Sequence, residues 1–188
     1  IPPVVQNIED AQNKAAFKKI YGDISNATQM LLKENGGSFK GVFTGTTLIK
    51  DEYGKYLIYI RECNEYAEPG GTACWPHIFT NLNGDPASAG MTGGGRAAIL
   101  SNGATIHFGF YNENCTAANI LICHPITLDV NGPKKPNIIG RDIFGIWIVR
   151  NGIKPKGVYD TLNHLETTCE INDTGHGCAK KVLKGEDY

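Results

Sequence analysis

The chain has 188 residues, with 18 basic against 19 acidic side chains and a formal net charge of −1. That length gives room for one domain with a sizeable core, and the even charge excludes the basic excess of an obligate nucleic-acid binder. No apolar run is long enough to span a bilayer, and neither a low-complexity segment nor an internal repeat is present. The chain opens at Ile1-Pro2-Pro3 rather than at methionine, as expected of a processed or trimmed product.

The first predicted element is one long helix over residues 1–35, rich in Ala, Lys, Gln, Asn and Leu and free of proline after Pro3. At ~1.5 Å rise per residue it would span roughly 50 Å. Pro2 and Pro3 suit a first turn, where the missing N–H costs nothing, and Gly36-Gly37 is a strong stop. Val4, Ile8, Ala11 and Ala15 form one apolar stripe. Phe17, Ile20, Ile24, Ala27 and Leu31 form a second, displaced by roughly 150° around the axis. A helix on a single core needs one stripe, so the second half is expected to hold the globular body while the first projects as a stem. The competing reading is a bend near Gly22 that lets one core use both.

Phe39–Ile49 and Tyr56–Arg61, with Asp51-Glu52-Tyr53-Gly54 between them, read as a hairpin, with a short helix over Leu57–Ile60 as the alternative. Cys63–Gly95 reads as a loop region, punctuated by Glu68-Pro69-Gly70-Gly71, Asn83-Gly84-Asp85-Pro86 and Gly93-Gly94-Gly95. Trp75 and Phe79 are expected to anchor it on the core; an exposed ligand platform is the other reading. Ala97–Leu100 and Ala104–Tyr111 flank Asn102-Gly103, a strong hairpin signal. Ile120–Asp129 and Ile143–Arg150 complete an antiparallel meander. In the last strand Ile143, Gly145, Trp147 and Val149 alternate with Phe144, Ile146 and Ile148, so a strand covered on both faces is predicted, one of them by the long helix.

The six cysteines fall in three close couples, Cys63 with Cys74, Cys115 with Cys123, and Cys169 with Cys178. An even count without CxxC points to disulfides and an oxidising compartment, sequential pairing being one scheme of fifteen. A zinc site at Cys169, His176 and Cys178, or at Cys123-His124, fits no usual zinc spacing.

Between the last two strands, Asp129, Asn131, Asn137 and Asp142 recur among glycines and prolines that fix the backbone. Hard cations gather six or more oxygens from carboxylates, amides and carbonyls, so these four are candidate calcium ligands. Asx turns account for the same residues without an ion. Hydrolase, metalloprotease, P-loop and dinucleotide signatures are missing, and His77, His107, His124, His164 and His176 are scattered, so no catalysis is expected.

Ile1-Pro2-Pro3-Val4-Val5-Gln6-Asn7, followed by Asn13-Lys14-Ala15-Ala16-Phe17-Lys18-Lys19-Ile20-Tyr21, resembles the start of a type IV pilin or pseudopilin headpiece. Asp129-Val130-Asn131-Gly132, Pro136-Asn137 and Gly140-Arg141-Asp142-Ile143-Phe144 resemble a common pilin-like segment, and Gly175-His176-Gly177-Cys178 resembles that family's cysteine-closed ending. The resemblance implies an α+β headpiece, 1–188, in which a long N-terminal helix packs on an antiparallel sheet with disulfide-closed loops. Its parts would be a stem (1–35), a connecting region (36–96), a β-meander (97–152) and a disulfide-bounded end (153–188).

It also implies a leader cleaved by a prepilin peptidase and an apolar half-helix that anchors the full-length form in the inner membrane. Assembly machinery there would pass the subunit into an extracellular filament on a bacterial surface, used in adhesion, motility or secretion. Val4, Ile8, Ala11 and Ala15 would then face neighbouring subunits, and the Cys169–Cys178 loop would be a subunit contact or receptor surface. Some pseudopilins bind calcium in a C-terminal loop, in line with the Asp129–Asp142 stretch. Nucleic acid is not an expected partner. Two other classes are carried: a secreted or tip adhesin using the 63–95 loops around Trp75, and a metallo-hydrolase joining His107, His124 and His164 or His176.

Overall fold

Helix α1 runs unbroken from Pro3 to Glu34 in a computed structural model. That structure describes residues 3–67, 74–75, 78–87, 95–158 and 169–187, with the side chains of 3–6 and 64–67 left out of the description. Phe17, Ile20, Ile24, Ala27 and Leu31 are all buried, so the second predicted stripe is the one that holds the body. The stop falls where the glycines put it: Gly36 and Gly37 take positive φ, and the Gly37 N–H donates to the Leu32 carbonyl at 2.7 Å.

The hairpin expected over Phe39–Ile49 and Tyr56–Arg61 does not form. Residues 46–54 are instead helix α2 (Thr46–Gly54). Its β-branched start suggested a strand, but Ile49 and Tyr53 stand four residues apart and are both fully buried, which is a helical period. The Tyr53 hydroxyl donates to Thr28 Oγ1 at 2.9 Å, while Thr28 donates its own proton to the Ile24 carbonyl at 2.7 Å. The helix–helix seam is thereby satisfied as well as packed.

Strand β1 (Tyr59–Ala67) begins within the expected hairpin arm and continues past Cys63 into what the sequence presented as loop. Its register partners explain the extension: Cys63 lies opposite Ala97 and Ala67 opposite Gly95 on β2 (Gly95–Leu100). Strands β3 (Thr105–Gly109), β4 (Ile122–Asp129), β5 (Ile143–Val149) and β6 (Gly152–Pro155) follow. Every strand pairs antiparallel with its neighbour in sequence, in the order β1-β2-β3-β4-β5-β6. The predicted meander is therefore present and longer than expected. At its Asn102-Gly103 turn the Asn102 side chain accepts the Ala104 N–H at 3.0 Å.

Alternation assigns the two faces of the sheet. Leu100, Ile106, Phe108, Ile126, Leu128, Phe144, Ile146 and Ile148 join α1, α2 and the Phe39–Phe43 turn in the main core. Phe17 stacks on Phe144 with centroids 4.4 Å apart. On the opposite face Ile143 packs with Trp75, Phe79 and Ile139. Trp147 and Val149 pack there with Ile122. All seven residues of β5 are buried, as its two-sided apolar pattern predicts.

All six cysteines are paired, Cys63–Cys74, Cys115–Cys123 and Cys169–Cys178, which is the sequential scheme. The last bridge joins the end loop to helix α3 (Cys178–Lys184). Gly140 is the point where the β4–β5 loop meets it: a Cβ there would lie 2.9 Å from the Cys178 sulfur and 3.2 Å from the Gly175 backbone.

Candidate functional site

The first apolar stripe of α1 stays on the surface. Ile8 is 53 % exposed and Ala11 and Ala15 are exposed, while the side chain of Val4 lies outside the described residues. The stem does not stand clear of the body, however. Its opposite side is held: Asn13 is buried, and Asp10 takes a two-pronged ion pair from Arg141, with contacts of 2.8, 2.9 and 3.1 Å. A bidentate guanidinium–carboxylate pair fixes direction as well as distance. So from about Asp10 onward the helix lies on the β4–β5 loop, and a projecting first half is corrected to a docked helix with one apolar side left uncovered.

The β4–β5 loop is organised by Asp142. Its carboxylate accepts the N–H groups of Asn137 (2.7 Å) and Ile138 (2.6 Å) and the Asn131 side-chain amide (3.2 Å). Burial pushes the Asp142 carboxyl up from its ordinary range, and those hydrogen bonds pull against the shift. Asn131 spends its amide protons on Asp142 and the Lys135 carbonyl, so its Oδ1 faces away from both. That oxygen is buried without a hydrogen-bond partner among the described residues, and so is Oδ1 of Asn137.

Thr105 adds a third such oxygen. It sits opposite Asp129 in the β3–β4 register, and its Oγ1 lies 3.9 Å from where a Cβ on Gly132 would be. Thr105 and Asp129 thus lie side by side on adjacent strands, and Asn131 and Asn137 belong to the loop that follows; among the described residues no group of three or more His, Cys, Asp or Glu side chains is placed to hold a metal ion. Four of these five oxygen-bearing residues were legible from sequence spacing. Thr105 was not, because only strand pairing brings it to the loop. A cleft of about 220 Å³ runs between this loop and the stem, lined by Glu9, Gln12, Asn13, Asn131, Lys134 and Lys135.

The other candidates are dispersed. Trp75 is fully buried, edge-on to Phe79 and 5.9 Å from the His107 ring, which makes it an anchor and not a platform. Phe108, adjacent to His107 on β3, belongs to the helix-side core, so His107 points to the opposite face. His124 lies on the helix side, edge-on to Phe43 and stacked on Phe110. His176 is buried beside α3, while His77 and His164 lie outside the described residues. His107 and His124 thus do not converge on one metal. The Cys–His zinc sets lose their thiolates to the disulfides.

Against protein-family models, curated proteins and solved structures alike, the chain returns no significant match. No described helix is long and apolar enough to cross a membrane.

Proposed function

We propose that this chain is a structural subunit of a type IV pilus or related pseudopilus, acting by self-assembly. The observation that carries the reading is the division of labour on α1: one stripe wholly buried in the headpiece and a second, Ile8-Ala11-Ala15, presented to solvent. Small residues beside a larger apolar one allow close approach of another helix, which suits lateral packing of many copies. Met30 and Ile58, both exposed and lining one cleft near the far end of the helix, offer a further apolar patch for neighbouring subunits. Trp75 is buried and so offers no aromatic platform of its own.

The test is to express the gene with its native N-terminus, shear the cells and image the sheared fraction after immunolabelling. Labelled thin filaments are expected, and Ile8→Asp should abolish them while leaving the folded headpiece intact. Sheared fractions free of labelled filaments, from cells that make the protein, would overturn the reading.

The β4–β5 corner is proposed to hold calcium, with Asp129, Asn131, Asn137 and the Thr105 hydroxyl as ligands and Asp142 ordering the loop around them. The ion would supply charge neutralisation and rigidity, with no chemistry of its own. At a free concentration of 100 times Kd, a ligand specific to the folded state adds ~2.7 kcal/mol. For a domain of this size that corresponds to a rise of roughly 5–10 °C in Tm. Calcium should produce such a shift and EDTA reverse it, whereas Asn131→Ala should cancel the response. An unchanged Tm at millimolar calcium would remove the ion from the account.

A further inference from the structure

Asn-X-Ser/Thr occurs at Asn26-Ala27-Thr28, at Asn114-Cys115-Thr116 and at Asn172-Asp173-Thr174. The tripeptide is an acceptor signal for N-linked oligosaccharide, but by itself it is common, and only an accessible loop in an exported protein can use it. The fold separates the three. Asn26 sits in mid-helix, and the Thr28 hydroxyl is fully buried between Ile24 and Tyr53. In the second, Cys115 is buried in a disulfide, and the Thr116 hydroxyl is engaged with the Asn112 side chain at 3.1 and 3.4 Å.

Asn114 and Asn172 are both exposed and Thr174 makes an interaction as well, so the third differs in having no buried disulfide inside the tripeptide and in its place in a closed turn. Residues 170–173 form a tight turn in which the Asp173 N–H donates to the Glu170 carbonyl (2.8 Å) and Asp173 Oδ2 accepts the Glu170 N–H (3.0 Å). Asn172 takes the third position of that turn and is exposed, with no side-chain hydrogen bond among the described residues. Its neighbour Ile171 is 70 % exposed. Beyond the turn, the Asp173 and Thr174 carbonyls accept the N–H groups of Asn83 and Leu82, which ties the base of the turn to the body and leaves its tip outward. Glu170, two residues before Asn172, is exposed as well. All six cysteines are disulfide-bonded, which belongs to the oxidising compartments where oligosaccharide transfer to asparagine also takes place.

We propose that Asn172 is a site of N-linked glycosylation, with a polyprenyl-diphosphate-linked oligosaccharide as donor. The Asn172 amide nitrogen attacks the anomeric carbon of the first sugar. A C–N bond forms, the bond from that carbon to the diphosphate oxygen breaks, polyprenyl diphosphate leaves, and the amide gives up one proton. The proposal rests on the turn, the disulfides and exposure, and is independent of the filament reading. Where both hold, the Cys169–Cys178 loop faces outward in the filament, since a glycan there would block a subunit contact.

Peptide mapping of the protein isolated from the cells that produce it is the test. The tryptic peptide ending at Lys180 should carry a sugar mass whose fragmentation localises to Asn172, and Asn172→Gln should remove it. Asn26→Gln and Asn114→Gln should leave that mass in place. An unmodified Asn172 in exported, fully disulfide-bonded protein would overturn the proposal, as would sugar found at Asn26 or Asn114 instead.

Discussion

Phe17→Ala should lower the melting temperature by roughly 10 °C, the largest loss expected from a single truncation in α1. The ring is fully buried, stacks on Phe144 and lies 5.9 Å from Tyr21. Removing a buried Phe side chain costs ~3–5 kcal/mol through lost transfer energy and the cavity left behind. In a domain of this length each kcal/mol moves Tm by about 2–4 °C. The matching control is Ile8→Ala on the same helix, where the side chain is already half in water. That change should stay within ~0.5 kcal/mol of the unaltered protein. Denaturation curves of the two variants therefore measure the division between the stripes directly, and equal losses would sink it.

Acid should destabilise the protein steeply between pH 6.5 and 4, before most carboxylates are protonated. Burial holds His124 down at about 4 from an ordinary 6.5, and its Nδ1 accepts the Tyr111 N–H at 3.3 Å. His176 is also held down to about 4, by burial first and then by the positive charge of Lys156. Below pH 6.5 the unfolded chain takes up protons at both positions that the folded chain refuses, so stability falls with pH until about 4 and no further.

The cost at pH 5 is about 2 kcal/mol per histidine, from ~1.4 kcal/mol per pH unit. Asp142 acts with the opposite sign: its raised carboxyl holds a proton in the folded state first, which returns some stability at the acid end. Urea unfolding at pH 7.5 and pH 5 should show a loss near 4 kcal/mol, reduced by about half in His124→Gln. A flat profile over that range would mean that both imidazoles reach water.

What could be read in the sequence is what depends on near neighbours. The length of α1, its glycine stop and the Asn102-Gly103 hairpin all follow from residues within a turn or two of each other. The two-sided burial of β5 does too, because a strand's alternation is visible in seven residues. The α2 region departs from its local signal because Thr46, Thr47 and Ile49 favour a strand, while the deciding contact of Tyr53 with Thr28 is 25 residues away. The site divides in the same manner. Asp129, Asn131, Asn137 and Asp142 lie in one loop and announce themselves, whereas Thr105 arrives only by pairing of β3 with β4. Asp10 and Arg141, separated by 131 residues, carry no local signal that they will meet.

The strictly sequential strand order also sets a timetable for synthesis. Each strand needs only its predecessor, so the sheet can zip together from the N-terminal side, with the β1–β2 connection the longest loop to close. Helix α1 is the exception, since the surface that receives Phe17 includes Phe144 on β5. A ribosome makes about 125 further residues before that partner exists, or some ten seconds at ~5–20 residues per second. Throughout that interval Phe17, Ile20, Ile24 and Leu31 have no complete sheet to cover them. The apolar stripe of the nascent helix therefore stays uncovered by its own sheet until β5 has been made.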